Sequence, residues 1–320
     1  MRDATAGDLN MSHPDFNYLD AGVRASPLYA DRLVFRQRDV IAGDGVPLVA
    51  LEAGDRRRPG ILIVNALGVS ALFLAPLVRI LSARHHVVTW ESRGLPDDRA
   101  VGDDVDLSVA RHAQDAADVL AASPGRLAAV VSFCSGVNVA AAALAGGLVD
   151  AARWIVISPS MVLEKAEDSG AETDGSGGGE TQYQRTMLPL WRTVSRQGPR
   201  YAALVRTLLQ QGRRPAADDP DAPLQALNAL PFQSDHATHR YARLPAACLD
   251  ISWRPVLARL HLPTLVLHAL ADDLIHPDSA AAVAAAVPGA LLQIVEGGHY
   301  AIHGSASLHR AVRSFLPDDA

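Results

Sequence analysis

One of the two cysteines in this 320-residue sequence stands where a cysteine can react. In AAVVSFCSGVNVAAAALAG, residues 128–146, the apolar run 128–131 reads as a buried strand. It stops at Ser132-Phe133-Cys134-Ser135-Gly136 and becomes a small-residue helix. A core cysteine would lie within the strand or the helix, packed as a small hydrophobe. At the tip of a sharp strand-to-helix turn, Cys134 is presented to something. The N-terminus of the helix beginning at Ser135 aims free N–H groups at the sulfur and favours the thiolate, the form that attacks electrophilic carbon.

Such a turn needs a sheet to hold it, and the flanking sequence supplies one. ILIVNA (61–66), HVVTWES (86–92), LAAVVSF (127–133), RWIVISPS (153–160), PTLVLHAL (263–270) and ALLQIVEGG (290–298) read as strands, mostly continuous apolar runs. Helical patterns at 70–84, 106–123, 136–147, 278–287 and 306–316 alternate with them. Apolar strands alternating with helices predict a mostly parallel central sheet with helices on both faces, an α/β fold. Upstream, 31–40 and 46–54 flank Ala42-Gly43-Asp44-Gly45 and predict a β-hairpin. Residues 1–30 predict an irregular arm. Residues 31–160 and 261–320 form the expected core, and 161–260 a mostly helical cap containing the Gly-rich segment 167–181, expected to be a mobile loop.

Composition narrows the partners. Lys and Arg number 29 against 35 Asp and Glu, for a net charge of −6, without a basic stripe for nucleic acid or an anionic membrane. No apolar run is long enough to span a bilayer, and the first thirty residues lack the signal-peptide pattern. Two distant cysteines, Cys134 and Cys248, do not make a disulfide framework, so a reducing cytoplasm is the expected location. Cys248, in LPAACLDIS, reads as a buried thiol near the return from the cap. The oligomeric state stays open.

The turn at Cys134 resembles the nucleophile elbow of the α/β-hydrolase superfamily, whose pattern is Gly-x-Ser-x-Gly. Ser132 replaces the first glycine. Cysteine replaces the central serine, as in the branch that resembles dienelactone hydrolases and polyhydroxyalkanoate synthases. The resemblance covers roughly 31–160 and 261–318 and implies a triad in the order nucleophile, acid, histidine. His299, after the pair Gly297-Gly298, matches the histidine loop; His303 and His276 lie near it as decoys. The acid is expected at Asp273, whose register is taken from Ile275 and Pro277, with Asp272 one residue out as the alternative. The resemblance also implies an oxyanion hole from the main-chain N–H groups of Leu67 and Ser135. The segment Asn65-Ala66-Leu67-Gly68 lacks the family's His-Gly, and Asn65 is a candidate to orient that loop. In TWESRGLP, Glu91 stands where the family has Asp, and Arg93 is expected to be structural.

A triad of Cys134, His299 and Asp273 implies a covalent acyl-cysteine. Cysteine exchanges acyl groups with thioesters at nearly matched energy, so the expected activity is acyl transfer or thioester hydrolysis. The expected substrate is a small-molecule acyl group, on CoA or a carrier protein, with no metal or other cofactor. The rival readings are a small ester or lactone hydrolase and a non-catalytic binding protein. In the cap, Leu188, Leu190, Trp191 and Leu204 fit an apolar pocket but more readily ordinary helix packing.

Overall fold

A computed structural model describes residues 12–94, 102, 104–122, 126–164, 181–212 and 222–317. Residues 167–180, most of the Gly-rich segment, lie outside the described residues. Among them, eight strands form one sheet: β1 (Arg36–Ile41), β2 (Pro47–Ala53), β3 (Gly60–Val64), β4 (His86–Trp90), β5 (Ala129–Phe133), β6 (Trp154–Ile157), β7 (Thr264–Ala269) and β8 (Leu291–Val295). The helices are α1 (Ala21–Ala25), α2 (Ala75–Ser82), α3 (Val109–Leu120), α4 (Gly136–Ala145), α5 (Gln182–Gln197), α6 (Pro199–Gly212), α7 (Ala222–Ala229), α8 (Asp235–Leu249), α9 (Arg254–Leu257), α10 (Pro277–Ala286), α11 (Ala301–Gly304) and α12 (Ala306–Phe315).

The sheet order is β1-β2-β4-β3-β5-β6-β7-β8; β1, β2 and β4 pair antiparallel, and every pairing from β4 to β8 is parallel. Apolar residues alternate between its two faces. Leu62, Val64, Val130, Trp154 and Val156 join one buried cluster, while Ile61, Ile63, Val131, Phe133, Ile155 and Ile157 join the other. A strand covered on both faces has no use for alternating polarity, hence the continuous apolar runs. β8, at the edge, leaves Leu291, Leu292 and Ile294 exposed.

The chain enters β3, moves outward to β4 and then crosses back to β5 on β3's other side. Val64 pairs with Ser132, so the loop after β3 and the turn after β5 leave the sheet side by side. Ligands of open α/β sheets bind at such a reversal, outside the carboxyl ends of the strands. Between β6 and β7, α5, α6 and α8 pack around their own cluster, with Trp191 stacked on Phe232 (5.7 Å) and edge-on to Tyr241 (5.2 Å).

Two local expectations need correction. The arm 1–30 is not irregular beyond residue 12. Asp20 accepts the Val23 N–H and caps α1, a 3₁₀ turn follows at Pro27–Val34, and Phe16, Leu19 and Val23 are buried. Three spaced apolar residues and a cap suffice once a core exists to receive them. The single helix expected over 70–84 begins as a 3₁₀ turn, Ala71–Leu74, before α2. Pro76, which lacks an N–H, sits in the first turn of α2, where none is needed.

Candidate active site

Cys134 is the first of the two residues between β5 and α4 and has φ of +50°, a left-handed conformation that a non-glycine residue holds only under constraint from its surroundings. Its N–H donates to Ile157 O at 3.0 Å, and its carbonyl accepts from the Ser160 N–H at 3.2 Å. Gly136 permits the crossing: a Cβ there would fall 2.3 Å from Asn65 O and 2.5 Å from Val64 O. The other small position behaves differently. Ser132 is fully buried, and its hydroxyl oxygen accepts from Trp154 Nε1 at 2.9 Å, so a neighbouring strand makes use of the hydroxyl that glycine would lack.

His299, in the loop after β8, has Nδ1 at 3.0 and 2.9 Å from the two carboxylate oxygens of Asp272 and hydrogen-bonds the Cys134 thiol on its other side. The partner expected one residue later, Asp273, is not in this chain of contacts. Parallel pairing with β8 continues past β7, through Leu270 N–H to Val295 O and Ala271 N–H to Gly297 O, and Asp272 is the next residue. Its side chain turns inward, where Oδ1 also accepts the Leu274 and Ile275 N–H groups at 3.0 and 2.9 Å. Asp273 instead borders an outer groove with Glu296 and Gly297. The end of the ladder sets the register of the acid; the spacing to Pro277 does not.

Burial and hydrogen-bonding partners act in opposite directions on both His299 and Asp272. Burial opposes the charged form of His299, but its interactions with Cys134 and the Asp272 carboxylate outweigh it and raise the ring's pKa to about 10. Burial likewise pushes Asp272 up, yet hydrogen bonds from His299, the Ile275 N–H and Ser158 hold it below the usual carboxylate value. Ser158, just past β6, was not anticipated from sequence. It is buried with φ of +44°, and that unusual backbone lets its hydroxyl reach Asp272.

Leu67 and Ser135 meet as the strand pairing requires, though not through two N–H groups aimed at an open space: the Leu67 N–H donates to Ser135 Oγ at 2.9 Å. Asn65 pins the same loop by donating from Nδ2 to Val69 O and Ser70 O at 2.9 and 3.2 Å. Glu91 accepts from the Ser70 hydroxyl, the Ala71 N–H and the Tyr18 hydroxyl, tying the loop to the N-terminal arm. Arg93 is fully buried between Asp115 and Asp44 and does not reach the cleft. Of the decoys, His303 donates to Phe73 O and His276 caps α10. Cys248 is buried on α8; burial and the charge of Cys134 push its thiol up to about 12.

Over Cys134 the cap closes a cleft of about 150 Å³. Leu188, Trp191, Phe232, Tyr241 and Ile275 contribute to its apolar wall, and His299 and Tyr300 border it. Leu188 and Trp191 therefore face the cleft, while Leu204 is exposed on α6. Among the described residues no cluster of three or more His, Cys, Asp or Glu could hold a metal ion, and no helix is long and apolar enough to cross a membrane.

A family model described as the alpha/beta hydrolase fold matches residues 59–306. Among solved structures, the chain is similar to an esterase from Rhodococcus sp. (TM-score 0.62, 18% identity, 87% of this chain and 98% of that one). It is similar also to the enol-lactonase of Burkholderia xenovorans (0.64, 17%, 87% and 99%) and to a bromoperoxidase of Bacillus anthracis (0.65, 16%, 88% and 100%). Comparison with curated proteins gives no match. Three differently named enzymes at similar distance share a fold and leave the reaction to the site.

Proposed function

The chain belongs to the alpha/beta hydrolase fold family, and from that premise we propose that it is an acyl-transferring or acyl-hydrolysing enzyme of the cysteine-nucleophile kind. The observation that carries this reading is the contact chain Asp272–His299–Cys134, with the thiol at a strained elbow beneath an apolar cleft.

The steps follow from the charges. The thiolate attacks an acyl carbon, and the oxyanion forms beside the Ser135 N–H, which no described residue accepts. His299, protonated while the thiolate faces it, gives its proton to the leaving group. Acylation removes the sulfur's charge, one of the two influences that raised the ring's pKa, so the imidazole becomes a competent base for the second step. Asp272 holds the proton on Nδ1 throughout and stabilises the cation whenever the ring is doubly protonated.

A cavity of this size takes a benzene-sized group. The substrate we infer is a compact, uncharged acyl group carried as a thioester, on CoA or on a carrier protein. A second reading, hydrolysis of a small ester or lactone, is favoured by the same small volume, which would enclose such a molecule whole. Incubation with a series of short acyl-thioesters, followed by intact-protein mass spectrometry, tests the first step. An adduct on the parent chain that is absent from Cys134→Ala is expected; no adduct, or one that survives the substitution, would overturn the reading. Single-turnover deacylation with and without amine, alcohol or thiol acceptors then separates transferase from hydrolase. Only a transferase loses its acyl group faster when the acceptor is added. A decayed, binding-only protein would show Cys134 alkylated by iodoacetamide no faster than Cys248.

A further inference from the structure

We propose that the Ser135 hydroxyl is itself a donor to the oxyanion, the outer link of a relay that runs from the Leu67 N–H through Ser135 Oγ to the substrate oxygen. The proposal rests on acyl chemistry at Cys134.

A serine at the start of a helix ordinarily turns its oxygen back onto the N–H groups of the first turn. Ser135 occupies that position ahead of α4 and makes no such cap. Its Oγ reaches across to the loop after β3 and accepts the Leu67 N–H at 2.9 Å. That bond consumes the donor which the family pattern assigns to the oxyanion hole. It also fixes the oxygen 2.9 Å from the Leu67 nitrogen, at a cleft that both residues border together with Cys134.

A serine hydroxyl that accepts one hydrogen bond still has one proton to give. Among the described residues none accepts it, nor the Ser135 backbone N–H. Both donors of one residue therefore remain for an oxygen developing negative charge next to Cys134. Accepting from Leu67 polarises the hydroxyl and strengthens its donation, as in any hydrogen-bonded chain. The missing glycine and histidine of the loop Asn65–Gly68 fit this arrangement, because the loop's N–H acts on the substrate through a side chain and need not approach it directly. The rival arrangement is a plug, in which Oγ occupies the hole in the free protein and swings away when substrate arrives. The two make opposite forecasts for removal of the hydroxyl.

The test uses p-nitrophenyl butyrate in the pre-steady state, reading the burst of nitrophenolate as Cys134 is acylated. It uses butyraldehyde as a second probe, since the thiol adds to its carbonyl and the former carbonyl oxygen occupies the same hole. Ser135→Ala is expected to acylate about tenfold to a hundredfold more slowly, less than the full value of a dedicated donor because the freed Leu67 N–H substitutes in part. Inhibition by butyraldehyde should weaken in parallel, with KM for the ester little changed. Ser135→Thr, which keeps the hydroxyl, should recover most of the rate. An acylation rate in Ser135→Ala equal to or above the parent's overturns the relay and identifies a plug. Equal losses in the Ala and Thr variants also overturn it, since they would report the packing of the elbow. No nitrophenolate release from the parent chain, in the burst or in the steady state, would instead defeat the acyl reading at Cys134, an outcome separate from either result at Ser135.

Discussion

Two buried imidazoles in this molecule each hydrogen-bond a carboxylate at nearly the same distance, and only one of them lies in a candidate active site. His86 Nε2 is 3.0 Å from Glu52, and His299 Nδ1 is 2.9 Å from Asp272. All four side chains are almost wholly out of solvent. The difference lies in what else each pair touches. Glu52, on β2, also accepts from Arg38 and Arg56 at 2.8 and 2.9 Å. It is the hub of a cationic cluster at the antiparallel end of the sheet, and among the described residues no nucleophile hydrogen-bonds His86. Asp272 receives hydrogen bonds from a serine and backbone N–H groups, and His299 turns its second nitrogen toward a cysteine at a strained turn beside a cavity. A buried histidine–carboxylate pair is therefore a structural motif by default. It becomes a candidate for chemistry when its far nitrogen faces a thiol at the carboxyl end of a parallel sheet.

The contrast can be broken most completely at the sulfur. Cys134→Ala should abolish turnover while leaving the far-ultraviolet circular dichroism unchanged; substantial residual turnover would remove Cys134 as the nucleophile. Asp272→Asn should lower kcat on the order of 10⁴-fold, because an amide no longer enforces the productive tautomer or balances the imidazolium. The equivalent change in the other pair should act on another property. Glu52→Gln leaves two guanidiniums facing a neutral group and should cost about 3 kcal/mol in denaturant unfolding, with kcat close to the parent's.

The pairs should also fail at opposite ends of the pH scale. His299 has a folded pKa of about 10 against an ordinary value of 6.5, so its contribution to stability is complete below pH 6.5 and is lost as pH rises toward 10. Burial raises the pKa of Glu52, but hydrogen bonds from His86, Arg38 and Arg56 bring it down to about 2 from 4.5. Its contribution is complete above pH 4.5 and is lost as pH falls toward 2. Thermal melts of His299→Gln and Glu52→Gln against the parent should converge on the alkaline and the acid side respectively; convergence on the same side would refute the assignment of charges. The smallest effect is expected at Asp273→Asn, under about threefold in kcat, since this carboxylate lies outside the contact chain. A loss comparable to that of Asp272→Asn would restore the register drawn from Pro277.

Several features could be read without coordinates because they are local. Strand, five-residue turn and helix around Cys134 follow from apolar runs and small residues, and Gly297-Gly298 marks the loop carrying His299. The alternation of strands and helices implied a parallel sheet with both faces covered, and the two buried clusters have that arrangement. What the chain alone could not decide depended on which strands became neighbours. Asp272 and Asp273 are the same residue type one position apart, and the length of the β7–β8 ladder selects the inward one. Ser158 acquires its link to Asp272 only because β6 lies beside β7. Leu67 and Ser135, far apart in the chain, share a hydrogen bond because β3 and β5 pair across the reversal in strand order. Periodicity and turn chemistry act over a few residues and are written in the sequence. Register, strand adjacency and the orientation of a side chain at a strand end come from packing between distant segments, so they were decided only when the sheet closed.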